Sequence, residues 1–212
     1  MHDSGDRPPA YPYPLHPQVY PPEADTYLLL RAALAEVREG DRVCEVGTGS
    51  GLIAGELSRT APLVATEINP HAIAAARRLG VEVIRTDLLA GVAGPFDLVL
   101  FNPPYLPTEP DERLDDWLEY ALDGGETGRE VAVRFIRDVG RVLSPAGRVL
   151  LLVSTLTGIG EVQKACADAG FIVFMVAGEE CEGERLMVLR LMRDLCRAGE
   201  SGSGGWRCGE QR

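Results

Sequence analysis

A chain of 212 residues, 45% hydrophobic and 25% charged, has the length of one well-buried domain, and its composition excludes a disordered, collagenous or coiled-coil protein. With 32 acidic against 21 basic side chains the formal net charge is -11, a poor match for an activity that must grip a phosphate backbone, so nucleic acid is a disfavoured partner. No apolar run approaches the length of a membrane span, and the five scattered cysteines lack metal-ligand spacing; they read as free thiols in a reducing, cytoplasmic setting, with no metal site.

Residues 1–18 are punctuated by prolines and predict an extended arm. The folded domain is expected over 19–195 and a Gly/Ser-rich, unstructured tail over 196–212. A helix is predicted over 23–39, with acids in its first turn and Gly40 just beyond it. Short apolar runs then alternate with helical patterns. Strands are expected at 42–46, 63–67, 81–84, 97–101, 148–153, 171–176 and 185–191, and helices at 52–59, 70–79, 129–143 and 160–169. This alternation implies an α/β fold with a mostly parallel sheet covered on both faces. The last two strands are joined by GEECEGE, too short for a crossover helix, so they should pair antiparallel at one edge.

The first βα connection is EVGTGSG, residues 45–51, where Gly47, Gly49 and Gly51 let backbone amides approach a ligand closely. The dinucleotide fingerprint G-x-G-x-x-G requires glycine at position 52, which is Leu52, so the pyrophosphate-binding version fails. The loop suits instead the uncharged methionyl-ribose part of S-adenosylmethionine. Glu67, at the end of the second strand, is placed to accept hydrogen bonds from ribose hydroxyls, and Asp87 with Leu88 follows the third strand, where a carboxylate meets an adenine amino group.

FNPPY, residues 101–105, follows the apolar strand DLVLF at its carboxyl end, where open parallel sheets bind ligands. Two prolines remove two donors, leaving mainly acceptors around Asn102 and Pro103. A planar NH2 group, whether of an amide or of adenine, has two hydrogens to give. Acceptance of one by the Asn102 side-chain oxygen and the other by the Pro103 carbonyl would hold the nitrogen, and Tyr105 would stack on the planar group. Methyl transfer to such a nitrogen has a good neutral leaving group and needs no strong general base.

On these motifs the chain resembles the Rossmann-like, class I S-adenosylmethionine-dependent methyltransferases, and within them the protein-glutamine N5-methyltransferases of class 1 release factors, in their short archaeal and eukaryotic branch. The resemblance runs over 19–191 and rests on VYPPEADTYLLL, EVGTGSG, TEINP, TDL, FNPPY, GGETGREV and GERLMVLRL. It implies a seven-stranded sheet with one antiparallel strand. It implies a cofactor site of Thr26, Glu45, Gly47, Gly49, Gly51, Glu67, Ile68, Asp87, Leu88 and Asn102, a catalytic clamp of Asn102, Pro103 and Tyr105, and substrate contacts from Asn102, Pro103, Pro104 and Tyr105. The expected substrate is the glutamine of a release factor's Gly-Gly-Gln motif. The resemblance also implies a small zinc-binding activator subunit beside the edge strand 81–84. Rival readings are an adenine N6-methyltransferase, a protein lysine methyltransferase, and a cofactor-binding regulatory subunit. Between Glu109 and Glu130 stand nine acids against Arg113 and Arg129, which reads as a negative rim for a basic protein surface.

Overall fold

The computed structural model describes residues 11–108, 116–181 and 183–198. Its centre is one seven-stranded sheet in the order β3-β2-β1-β4-β5-β7-β6. The strands are β1 (Val43–Val46), β2 (Leu63–Glu67), β3 (Val83–Arg85), β4 (Phe96–Phe101), β5 (Leu143–Ser154), β6 (Phe171–Cys181) and β7 (Glu184–Arg193). β7 runs antiparallel to both of its neighbours, and the other pairings are parallel.

The helices are α1 (Ala24–Glu36), α2 (Leu52–Leu57), α3 (Pro70–Arg78), α4 (Glu130–Val139), α5 (Ile159–Asp168) and the short α6 (Leu195–Ala198). The period of two along the central strands divides the core. Leu98, Leu100, Leu150 and Leu152 point to the face covered by Leu28 and Leu29 of α1 and Ile53 and Leu57 of α2. Val99, Phe101, Val149 and Leu151 point to the face covered by Phe135, Ile136 and Val139 of α4 and Val162 of α5. A third cluster seats Ile73 and Ala76 of α3 against Ala65 and Val83.

Several boundaries differ from the sequence-based expectation, α1 ending at Glu36, α2 at Leu57, β3 spanning Val83–Arg85 and β5 starting at Leu143 among them, and three of the differences have an evident cause. The helix expected to run to 143 ends at Val139, because the next residues are captured elsewhere. Phe96 N donates to Val142 O at 2.8 Å, Leu143 pairs with Phe96 in the sheet, and the Arg141 guanidinium binds the carbonyls of Val92 and Leu89 at 2.6 and 2.8 Å. GEECEGE is mostly strand and not a loop: β6 continues to Cys181 and β7 starts at Glu184. Glu179 and Glu180 sit on the edge strand β6, where they reach the cations Arg31 and Arg185 without burial. The tail opens with the helical turn of α6, started by Asp194, whose carboxylate accepts from Cys196 N at 3.1 Å; the rest of it, 199–212, lies outside the described residues.

The part of the arm that is described lies along α3. The Tyr11 hydroxyl reaches Ala75 O at 3.4 Å, Asn69 Nδ2 donates to Gln18 O at 2.7 Å, and the rings of His16 and His71 stack 3.8 Å apart. Val19 is then fully in the core. The strand order reverses between β1 and β4. That places the loop after β1 and the residues after β4 side by side at the carboxyl ends of the strands, the usual crevice of an open α/β sheet.

Candidate active site

A cavity of 870 Å³ opens at this crevice. It is walled by Thr26, Glu45, Gly47, Gly49, Glu67, Ile68, Asp87, Leu88 and the whole segment Asn102 to Tyr105, so residues from five separate parts of the chain converge there. Gly51 is the exception among the expected residues. It lies outside the wall, with φ +82, and a Cβ there would stand 2.6 Å from the Cα and Cβ of Ala76. Its lack of a side chain allows α2 and α3 to pack, a role distinct from opening space for a ligand. A Cβ on Gly49, also at positive φ, would have nothing within 4 Å and would face open cavity, whereas one on Gly47 would press the Phe101 ring at 3.3 Å.

The glycine loop is held by carboxylates. Gly49 N donates to Glu67 Oε2 at 2.9 Å, while Ile68 N and Asn69 N donate to Glu67 Oε1 at 2.7 and 2.9 Å. Glu67 therefore ties the first βα loop to the second, a structural duty in addition to any ribose contact. Thr48 donates to Glu45 Oε2 at 2.5 Å. Beside them Thr66 Oγ1 is buried in the cavity wall without a hydrogen-bond partner. Asp87 is half-exposed and paired with Arg134 at 2.5 Å. Leu88, next to it, is the one non-glycine residue at positive φ (+50) among the described residues, a backbone conformation usually retained where a site requires it.

Glu45 is 4% exposed. Burial pushes its carboxyl up to about 8, with the Thr48 hydrogen bond and the Ala54 amide opposing the shift and Glu67 adding to it. Since the unfolded chain releases that proton near pH 4.3, the folded protein binds one more proton between these limits, and stability falls as pH rises through the window. Glu45→Gln will therefore be more heat-stable than the parent at pH 8.5, on the order of 5 °C in Tm. The gap will close below pH 4, where both side chains are neutral. A gap independent of pH in thermal scans would show that Glu45 is ionised throughout.

The chain turns out of β4 at Asn102. Its Nδ2 donates to Asp25 Oδ2 at 2.9 Å, and its Oδ1 is buried without a partner. Pro103 is buried, and Pro104 and Tyr105 are half-buried. Burial raises the Tyr105 phenol well above its ordinary value, and Asp25, Glu184, Glu23 and Cys181 add to the effect. The phenol stays protonated and offers no base. Behind it, 122–130 forms a buttress. Leu106 N donates to Leu122 O, Gly124 N to Leu106 O and Thr108 N to Gly125 O, at 2.9 to 3.1 Å. Gly128, at φ +72, passes so close that a Cβ would lie 2.5 Å from Tyr105 O.

Several wall residues carry no sequence signal of their own. Asp25 reads in sequence as an acid complementing the first turn of a helix; only the approach of β4 turns it into a neighbour of Asn102. Tyr20, Trp117, Tyr120 and Glu184 also line the cavity. Trp117 and Tyr120 face each other at 5.3 Å on its lip. Of the nine acids in the acidic run, Glu109, Asp111, Glu112 and Asp115 lie outside the described residues. Others serve local turns: Asp116 accepts from Glu119 N, Asp123 from Gly125 N, and Glu130 from Thr127 N and Oγ1. Glu119 and Asp123 nevertheless stand in the cavity wall with Glu23, Asp25 and Glu184.

This set fits the expected cofactor. The wall supplies carboxylates for hydroxyl donors and for positive charge, an open glycine at 49, and two buried oxygens, Thr66 Oγ1 and Asn102 Oδ1, that lack partners within the protein.

The family model of the methyltransferase small domain matches residues 23–114. A putative protein N5-glutamine methyltransferase of Methanocaldococcus jannaschii is 39% identical over 187 residues, covering 84% of this chain and 94% of that protein. Methyltransferase HEMK2 of Mus musculus is 35% identical over 192 residues, covering 82% and 90%. The release factor glutamine methyltransferase of Deinococcus radiodurans is 39% identical over 147 residues, 61% of this chain and 52% of that longer protein. A chain of the E. cuniculi Mtq2–Trm112 complex, which is responsible for methylation of the eRF1 termination factor, superposes with a TM-score of 0.71 at 29% identity, covering 83% of this chain and 99% of that one.

Proposed function

We propose, from the premise that this chain belongs to the protein N5-glutamine methyltransferases, that it methylates the side-chain amide of the glutamine in the Gly-Gly-Gln motif of a translation release factor. S-adenosylmethionine, the cofactor, supplies an electrophilic methyl group when bound. The residues that hold it in this reading are Gly47, Gly49, Glu45, Glu67, Ile68, Asp87, Leu88 and Thr26, all in the wall of a single cavity, with Gly51 shaping the turn behind them.

The observation that carries the reading is the buried, unpartnered Asn102 Oδ1. An acceptor excluded from water is costly unless a ligand supplies a donor, and a primary amide supplies two. Asn102 Oδ1 and the Pro103 carbonyl take the two N–H groups and fix the nitrogen's orientation, and Tyr105 packs on the amide plane. As methylation makes the amide cationic, the carboxylates of Glu23, Asp25 and Glu184 near Tyr105 stabilise the developing charge until one N–H proton is lost to water, giving the neutral N-methyl amide. The same acids repel a phosphate backbone, which disfavours a nucleic-acid adenine at this site. Together with Glu119 and Asp123 they suit a basic protein surface.

The activator belongs to the same proposal. β3 is a sheet edge with Ile84 42% exposed, suited to receive an added strand from a small zinc-binding subunit of the Trm112 kind.

Transfer of labelled methyl to a release factor with its Gly-Gly-Gln glutamine intact or replaced, with and without the activator, tests the reading. Label is expected on the intact factor alone, and more of it with the activator. Equal labelling of the replaced factor would overturn the assigned target.

A further inference from the structure

We propose that Asp25 is a positioning residue that dictates which end of the Asn102 amide faces the substrate, and thereby makes the site select glutamine over glutamate. This rests on the glutamine reading given above.

An acid in the first turn of a helix ordinarily serves the helix itself. Asp25 divides its duties. Oδ1 accepts from Thr26 N at 2.6 Å and from Thr26 Oγ1 at 3.2 Å, the local, helix-capping side. Oδ2 turns away from the helix, accepting from Asn102 Nδ2 at 2.9 Å across 77 residues of sequence, with the Tyr20 hydroxyl at 3.3 Å. Asp25 is 3% exposed. Thr26 N, Thr26 Oγ1 and Asn102 Nδ2 each give a hydrogen to the carboxylate, while the single Tyr20 hydrogen is shared between Asp25 and Glu23 Oε2, the latter at 3.2 Å.

The two ends of an asparagine amide have nearly the same shape, so packing alone does not set its orientation. The carboxylate does: only the NH2 end of Asn102 can face Oδ2, so the oxygen is turned away from Asp25 and is the end left to meet a substrate. A glutamine amide then meets an acceptor with its N–H, whereas a glutamate carboxylate meets oxygen with oxygen. Sites that offer a buried polar group to a substrate reject the analogue that cannot pair with it by large factors.

Asp25→Asn is the discriminating change. The two Thr26 donors retain the new side chain's oxygen at the Oδ1 position, so its NH2 replaces Oδ2 and confronts the NH2 of Asn102. Two donors cannot pair, and the Asn102 amide turns over, presenting its NH2 to the substrate. Binding of the release factor carrying its target glutamine, or glutamate in its place, is measured by calorimetry in the presence of S-adenosylhomocysteine. Wild type is expected to hold the glutamine form at least about tenfold tighter. In D25N the ratio falls to near unity or inverts, and kcat on the glutamine form drops by roughly 10²-fold, while Tm and S-adenosylhomocysteine affinity stay close to wild type. Asp25→Ala frees the amide to take either orientation and brings the ratio down without inverting it, which keeps the test open should D25N fold poorly. Undiminished selectivity in either folded variant overturns the role of Asp25 and leaves the glutamine reading intact. Equal binding of both forms by wild type overturns that reading, and this inference with it.

Discussion

Asn102→Ala will lower kcat for release-factor methylation by roughly 10²- to 10³-fold, the usual consequence of deleting one preorganised hydrogen-bonding group from a water-poor site. The reasoning starts from burial. Asn102 Oδ1 has no partner within the protein, so the fold already bears the desolvation of that atom, and a substrate N–H gains nearly the full value of the bond when it arrives. Alanine removes the acceptor and the amide that holds its orientation, while β4 and the two prolines keep the backbone in place. The Pro103 carbonyl then holds one N–H alone, and the nitrogen is free to rotate. Steady-state kinetics separate this from a folding defect, because the loss falls on kcat while the melting temperature shifts by only a few degrees. A variant retaining more than a tenth of wild-type turnover would remove Asn102 from the clamp and return Asn-Pro-Pro-Tyr to the status of a turn after a strand.

Much of the architecture is legible in the sequence because it depends on local pattern. Apolar runs of four to six residues between glycine and proline punctuation mark β1, β2 and β4 to within about one residue. The brevity of the β6–β7 connection reveals the antiparallel edge. What escapes a sequence reading is decided by tertiary pairing. GEECEGE looks like a polar loop, yet its backbone completes a ladder in which Glu179 pairs with Leu186 and Glu180 with Arg185. Leu143 looks like the end of a helix, yet Phe96 draws it into the sheet. In the site the glycine loop and the residues after β4 carry short-range signals. The partners that orient them do not: Asp25 lies 77 residues from Asn102 and Gly128 packs on Tyr105 from a separate loop. Glu67 reads in sequence as an acid reaching toward a ribose, and its threefold hold on Gly49, Ile68 and Asn69 becomes visible only when two loops are seen together.

Arg148→Met will destabilise the fold by about 3–5 kcal/mol, the cost of leaving buried charges unpaired, and will lower Tm by roughly 10 °C in a chain of this size. Arg148 is 4% exposed in β5. Its Nη2 binds Asp41 Oδ2 at 2.7 Å and the Glu36 carbonyl, its Nε binds Glu36 Oε2 at 3.2 Å, and its Nη1 binds Asp97 O at 3.1 Å. One guanidinium thereby fastens the end of α1 and the chain entering β1 to the beginning of β4. Without it Asp41 keeps only the Arg38 amide at 2.8 Å, and Glu36 only Arg190 at 2.9 Å. Methionine fills much of the volume but supplies no donor, so the effect isolates charge pairing from packing. Lys164→Ala is the contrasting change: its pair with Asp168 at 2.6 Å is 75% and 64% exposed, where the attraction is largely screened and worth under about 1 kcal/mol. Urea unfolding at low and high salt separates the two, since salt weakens the exposed pair and leaves the buried network nearly untouched. A loss below about 1 kcal/mol for R148M would mean that Glu36 and Asp41 find water or protons in its absence. The helix that carries Asp25 to Asn102 would then be held in place by the apolar contacts of Leu28 and Leu29 and not by this network.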